Sequence, residues 1–538
     1  MTKMIQNPIL RGFNPDPSIL RRGDDYYIAT STFEWFPGYQ IHHSKDLVNW
    51  ELITRPLDRA SQLDMRGVPD SGGVWAPCLS YNEHNQTYYL LYTNVLSFDG
   101  ATWKDTPNYV VTSKDIMGPW SEPVYLNSSG FDSSFFHDDD GKIWLVNMIM
   151  DHRKRKFFGG IVLQEYSEEE QKLVGDIHYI FPGTELGGTE GPHIFKKNGY
   201  YYLLTAEGGT EFNHAMTLAR SKSLFGPYEV HPQNPIITCK DTPQNYLQRS
   251  GHGQFVETQN GEWYGVFLVG RPLTERGRCI TGRESAIEKF EWREDDWLYK
   301  VGDNNVPRKE VEAPQLPEYK PKPKVEKITF APDQPLDIHL HALRVPMTED
   351  WITQNDREGY LRLYGRESLS SVFRQSLVAH RVQEHHVIAE TCVEFDPVSF
   401  QQMAGLVAYY NTFHYHYLHI MGNDDGSKKE LYIITCDKYD QQEPIEPIDV
   451  SDAEKVWMKM DYNGAQLQFY YAVKEGEWQK VGPVLDGSIL SDEYVRDENV
   501  RYRAAFTGAF VGVCCQDLSG RRQHADFEYF SYKELTHD

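Results

Sequence analysis

Three carboxylates, an indole and an imidazole recur at matching places along the first half of the chain: Asp16, Trp75, Asp132, Glu190 and His252. Each stands 10 to 13 residues before a hydrophobic stretch, led by Tyr26-Tyr27, Tyr88-Tyr89, Ile143-Trp144, Tyr201-Tyr202 and Trp263-Tyr264. Singly, each reads as an ordinary residue of a turn before a strand. Asp16 lies between Pro15 and Pro17, Asp132 in Phe131-Asp132-Ser133-Ser134, and Glu190 in Thr189-Glu190-Gly191-Pro192-His193. Their shared register changes the reading, because equivalent positions of a repeat converge in space. Three like charges at one place repel and shift one another's proton affinity, an arrangement kept where chemistry uses it. One protonated and one ionised carboxyl are the equipment of glycoside hydrolysis. The first protonates the departing oxygen; the second activates water or attacks directly. Phe33, Phe36 and Trp75 supply apolar walls for a sugar ring. Arg283, in Thr281-Gly282-Arg283-Glu284-Ser285, offers a counter-charge and paired donors, with a surface ion pair to Glu284 as the plainer alternative.

These residues need a scaffold that brings them to one axis. The aromatic starts are spaced by 62, 55, 58 and 62 residues. A period of that length with four-strand content reads as a β-propeller of five blades. A second repeat agrees. His43-Ser44-Lys45-Asp46, Thr112-Ser113-Lys114-Asp115 and Arg220-Ser221-Lys222-Ser223 fit an outer strand and turn of successive blades, and a degenerate copy falls at Gln164–Ser167. Helix signals are few; Glu168–Lys172 reads as a solvated hairpin end. From about Val306 prolines crowd among Lys and Glu (Pro307, Pro314, Pro317, Pro321, Pro323), as in an extended linker. Beyond it the period stops but alternation continues, in Val407–Tyr410, His414–His419 and Gln466–Tyr471, with a turn at Asn463-Gly464. That pattern predicts a β-sandwich. The expected fold class is all-β: a catalytic propeller over residues 1–320 and a sandwich over 321–538.

The 538 residues suffice for two cores, and aromatics make up 13% of them. A net charge of −24 without a basic run argues against nucleic acid and anionic membranes as partners. No apolar stretch approaches a membrane span, and the start has no signal-like apolar region. Seven scattered cysteines without paired spacing read as reduced thiols, so the expected location is cytoplasmic. His414 and His416 share a strand face without a third ligand, which favours sheet histidines over zinc.

Gly12-Phe13-Asn14-Pro15-Asp16-Pro17-Ser18 resembles the opening of glycoside hydrolase family 43. So do Asp24–Trp35, Gly73-Val74-Trp75-Ala76-Pro77, Thr189–His193 and Thr205-Ala206-Glu207-Gly208-Gly209. Tyr364–Leu369, Phe400–Leu406 and Phe506–Gly512 resemble the C-terminal, concanavalin-like jelly-roll domain of the family's two-domain β-xylosidases. The resemblance implies a five-bladed propeller that inverts the anomeric centre. It implies Asp16 as general base, Glu190 as general acid, and Asp132 as the carboxyl that orients the acid and tunes its proton affinity. Phe33, Trp75, His252 and Arg283 match positions lining the sugar subsites, and a Phe from the sandwich, Phe506 or Phe510, reaches the pocket mouth. Met150 stands where relatives carry Trp, which loosens the leaving-group subsite. The implied substrate is a xylooligosaccharide, cut from its non-reducing end, with side activity on α-L-arabinofuranosides. Main activity as an arabinofuranosidase and a non-catalytic sugar-binding propeller are the alternatives. No cofactor is required. An activating calcium ion near His252 is one reading, a buried hydrogen-bonded His the other. Homo-dimers or tetramers are expected.

Overall fold

The computed structural model describes residues 3–98, 103–153, 157–496 and 504–535. Strands rich in Val, Ile, Tyr, Phe and Thr, broken by Gly- and Asn-containing turns, dominate it. The N-terminal part holds five antiparallel sheets, the blades of a propeller. Blade one comprises Ser18–Arg22, Asp25–Thr30, Gln40–Ser44 and Glu51–Thr54. Blade two comprises Gly73–Asn82, Thr87–Val95, Asn108–Ser113 and Val124–Asn127. Blade three comprises Ser134–His137, Ile143–Met150, Phe158–Ser167 and Lys172–Phe181. Blade four comprises Glu190–Lys197, Tyr200–Glu207, Ala215–Ser221 and Glu229–Val230, with Ile237–Thr238 also pairing on its third strand. Blade five comprises Gln248–Glu257, Trp263–Gly270, Arg283–Trp292 and Leu298–Lys300.

Every aromatic pair that set the period therefore lies in the second strand of its blade. Ser44, Ser113 and Ser221 each end a third strand. The ring closes between blades five and one. There Leu10 N bonds to Ser285 O at 3.2 Å and Asn14 N to Arg283 O at 3.0 Å. Ser18 Oγ donates to Gln254 Oε1 at 2.8 Å, tying the first strands of the two blades.

The C-terminal part is a sandwich of an eight-stranded and a nine-stranded antiparallel sheet. One described α-helix, Asp492–Val495, precedes the segment carrying Phe506. Two features depart from the sequence reading. The Pro-rich stretch is extended but not free: Glu310–Glu312 pairs with Met4–Gln6, and the Tyr319 hydroxyl donates to Glu51 at 2.9 Å on blade one. Moreover, the propeller's Trp35–Phe36 forms the edge strand of the nine-stranded sheet, pairing with His341–Leu343. One apolar core runs from Phe13, Phe33 and Trp75 into Val378, Leu406 and Phe510 of the sandwich. All seven cysteines are buried and unpaired. No helix among the described residues is long and apolar enough to cross a membrane. His414 and His416 are buried in the sheet; His416 meets Thr435 Oγ1 and the Asp486 carbonyl at 3.2 and 3.1 Å.

Candidate active site

The first strands of the blades bring the repeat residues to one end of the propeller. Asp16 and Asp132 lie two residues before their strands, Glu190 opens its strand, and Trp75 and His252 lie within theirs. Asp16, Asp132 and His252 take left-handed backbone angles, φ 54°, 56° and 39°. Such strain in non-glycine residues concentrates at functional sites. The five side chains, with Phe33, Arg283 and Phe506, line a cavity of about 520 Å³.

Asp16 accepts from Ser31 Oγ at 2.7 Å on one oxygen and faces Arg283 Nη1 at 3.4 Å on the other. Arg283 also donates to Thr210 Oγ1 at 3.0 Å and to the Phe506 carbonyl at 3.3 Å. Its Nη2 is buried without a partner, a donor left for a ligand oxygen. The guanidinium lies over the rings of Phe33 and Phe506, at 5.1 and 4.9 Å.

Glu190 is held from behind. Thr189 Oγ1 and Thr184 N each donate to the buried Glu207 at 2.7 Å, pinning the start of the strand. Burial, then the neighbouring Asp16, pushes the Glu190 carboxyl up to about 8, against the pull of Arg283. Asp132 is raised well above the usual range by burial, then by Glu190 and Asp16. It accepts from the Gly191 N–H at 3.0 Å, so it fixes the backbone immediately after Glu190. Gly191 is required there: its φ is 57°, and a Cβ would stand 3.0 Å from the His252 ring.

His252 Nδ1 lies 3.8 Å from both Asp16 and Asp132, and burial lowers its proton affinity. No three His, Cys, Asp or Glu side chains converge as a metal cluster among the described residues. A hard cation seeks six to eight oxygen ligands. His252 and the two carboxyls beside it are the groups such an ion would meet.

Phe33, Trp75 and Phe506 form an aromatic triangle, with ring centres 5.7, 5.6 and 5.4 Å apart. Phe506 is thus the sandwich Phe that reaches the cavity. Phe510 is fully buried behind it, stacked on Trp35 at 3.7 Å. Phe36 also points elsewhere, into the core between blades one and two. Met150 lines a second cavity of about 440 Å³, which shares Lys104 and Phe157 with the first. Several cavity residues escaped the sequence reading. Phe131 precedes Asp132 and Thr210 follows the Thr205–Gly209 motif, so adjacency would have found them. Phe98 and Phe157 lie outside the blade strands and have no repeat register.

A five-bladed propeller with buried, unequal carboxyls beside an arginine and an aromatic wall defines a glycosidase-type site. Residues 5–298 match the model of glycosyl hydrolases family 43, and residues 327–533 match the beta xylosidase C-terminal concanavalin A-like domain. The chain belongs to glycosyl hydrolase family 43 and is a glycoside hydrolase. It is 50% identical to xylosidase/arabinosidase 43B of Humicola insolens, over 99% of this chain and 98% of that one. It is 49% identical to a beta-xylosidase of Bacillus subtilis (strain 168), over 98% of this chain and 99% of that one. Its fold superposes on a xylan beta-1,4-xylosidase from Bacillus halodurans C-125 with a TM-score of 0.94 at 52% identity, covering 98% of this chain and all of that one.

Proposed function

We propose that the enzyme releases xylose, one unit at a time, from the non-reducing ends of β-1,4-xylooligosaccharides with inversion, and accepts α-L-arabinofuranosides as a lesser activity. The observation that carries this reading is the unequal carboxyl pair. Glu190 is held protonated at neutral pH, and Asp16 takes donors from Ser31 and Arg283. Glu190 gives its proton to the glycosidic oxygen as the C1–O bond breaks. Asp16 takes a proton from the water whose oxygen bonds to C1 from the opposite face. Exchange with solvent then returns the proton to Glu190. Asp132, whose carboxyl is raised by burial and by its two carboxyl neighbours, orients Glu190 through Gly191. Arg283 Nη2 is free to take a sugar hydroxyl, while Phe33, Trp75 and Phe506 pack against the ring.

The names of the relatives support the sugar. Two are xylosidases, and the name of the Humicola insolens enzyme covers both xylosidase and arabinosidase. The second cavity adjoins the first at Lys104 and Phe157, on which the leaving chain could rest. Side-by-side assays on nitrophenyl β-xyloside and α-L-arabinofuranoside test the ranking, and xylobiose tests the physiological bond. Folded Asp16→Ala and Glu190→Ala variants should lose xylobiose hydrolysis by about 10²-fold or more. Glu190→Ala should be spared on the nitrophenyl substrate, whose leaving group needs little protonation. Near-native xylobiose turnover in either variant rejects the assignment.

A further inference from the structure

Arg381 ends the sandwich strand Leu377–Arg381 and is 3% exposed. No carboxylate bonds to it among the described residues. Its guanidinium donates to the Phe13 carbonyl, donates to Asn14 Oδ1 at 3.1 Å, and faces His341 Nε2 at 3.0 Å. Across His341 stands a second cation, Arg55 of the propeller. Arg55 faces His341 Nδ1 at 2.9 Å and donates to the Leu340 carbonyl at 2.7 Å. Burial and the neighbouring Arg55 both work against the charge on Arg381. A buried guanidinium without a counter-ion is costly, and a fold keeps one where its geometry is needed.

What Arg381 grips is the segment that carries Asp16. Asn14 Oδ1 accepts three donors: Arg381, Gln40 Nε2 at 2.8 Å and Thr30 Oγ1 at 3.3 Å. The Asn14 carbonyl accepts from Ser285 Oγ at 2.5 Å. Gln40, Thr30 and Ser285 belong to blades one and five; Arg381 alone comes from the sandwich. Pro15 and Pro17 stiffen the chain on either side of Asp16, so a shift of Phe13 and Asn14 is passed on to its carboxyl. The Phe13 ring lies under the same guanidinium at 5.6 Å and touches Phe33 of the cavity wall.

We propose that Arg381 is a positioning residue for the reaction: across the domain interface, the sandwich sets the attack geometry of Asp16 through the Phe13–Asn14 segment. The inference rests on Asp16 being the general base. A lysine cannot replace the planar fork, because one ammonium cannot hold the Phe13 carbonyl, Asn14 and His341 together.

The test uses Arg381→Lys and Arg381→Met in the full chain, with melting curves to verify folding. Arg381→Lys keeps a cation and decides the matter should Arg381→Met misfold. Turnover of nitrophenyl β-xyloside is measured with and without sodium azide. Azide attacks C1 without needing a base: the C1–N bond forms as the C1–O bond breaks, and nitrophenolate departs. The expected result is kcat lower by about ten- to a hundredfold with KM within about twofold, and azide raising the rate with α-xylosyl azide as product. Native kcat, or a loss that azide does not lift, overturns the proposal. Asp16→Ala is the control. If it stays active, the base assignment fails and this inference falls with it. If it is inactive and responds to azide while the Arg381 variants turn over normally, only the inference fails.

Discussion

Glu190 is the residue on which the chemistry turns, and its proton sets the pH dependence. With its carboxyl raised to about 8, the acid form persists through neutrality. Rising pH removes that proton, so kcat/KM on xylobiose should fall on the alkaline side with a limb near pH 8; a limb several units lower would exclude Glu190 as the acid. The same shift bears on stability. A carboxyl whose folded value lies above its ordinary 4.5 binds more protons folded than unfolded, so it weakens the fold as pH rises between those two values. Glu190→Gln, which cannot ionise, should therefore melt higher than the wild type, by a margin that grows from acid to mildly alkaline pH. Scanning calorimetry across that range checks it, and a margin that shrinks would contradict the assignment. The site carboxyls were legible because the repeat register marks them. Two things about them were not legible. One is the left-handed backbone at Asp16, Asp132 and His252, since nothing local demands it. The other is the source of pressure on Glu190, which comes from burial and Asp16, while Asp132 works through the Gly191 N–H.

At the level of elements, periodicity carried the reading and irregular segments escaped it. Second and third strands of the blades announced themselves by aromatic pairs and Ser-containing ends. Phe506 and Phe510 could not be told apart, because Ala504–Ala509 is irregular and follows no period. Nor could any local pattern show that Trp35–Phe36, two residues of propeller sequence, would extend a sheet built from residues some 300 positions later. That strand is a structural joint. Trp35 is fully buried, stacked on Phe510 and edge-on to Tyr409 at 6.1 Å. Trp35→Ala should cost about 3–5 kcal/mol, read as a lower denaturant midpoint. It should also raise KM, because Phe510 and Phe506 share the displaced segment. A stability loss below about 1 kcal/mol would show that the two domains do not depend on this joint.

For the whole molecule, the continuous core and the shared cavity make propeller and sandwich one catalytic unit. Phe506 completes the wall formed by Phe33 and Trp75, so the second domain supplies part of the cavity lining. An exo-acting site of this kind should attack long xylan slowly and only from its ends. Early products from xylohexaose should be xylose and its shortened partner; mixed intermediate oligomers at early times would show an open cleft. The division into two all-β parts was legible from the loss of period after residue 300, but their mutual dependence was not. Arg381, Arg55 and Trp35 make contacts that only the assembled chain brings together.

The central claim is that Glu190 and Asp16 remove a terminal xylose in a single displacement. Proton NMR of xylotriose at the first turnovers reads bond position, sugar identity and stereochemistry in one spectrum. The expected initial products are α-xylose and xylobiose, with β-xylose appearing only as the anomers equilibrate. Initial β-xylose would mean a double displacement through a covalent intermediate, and would contradict that claim.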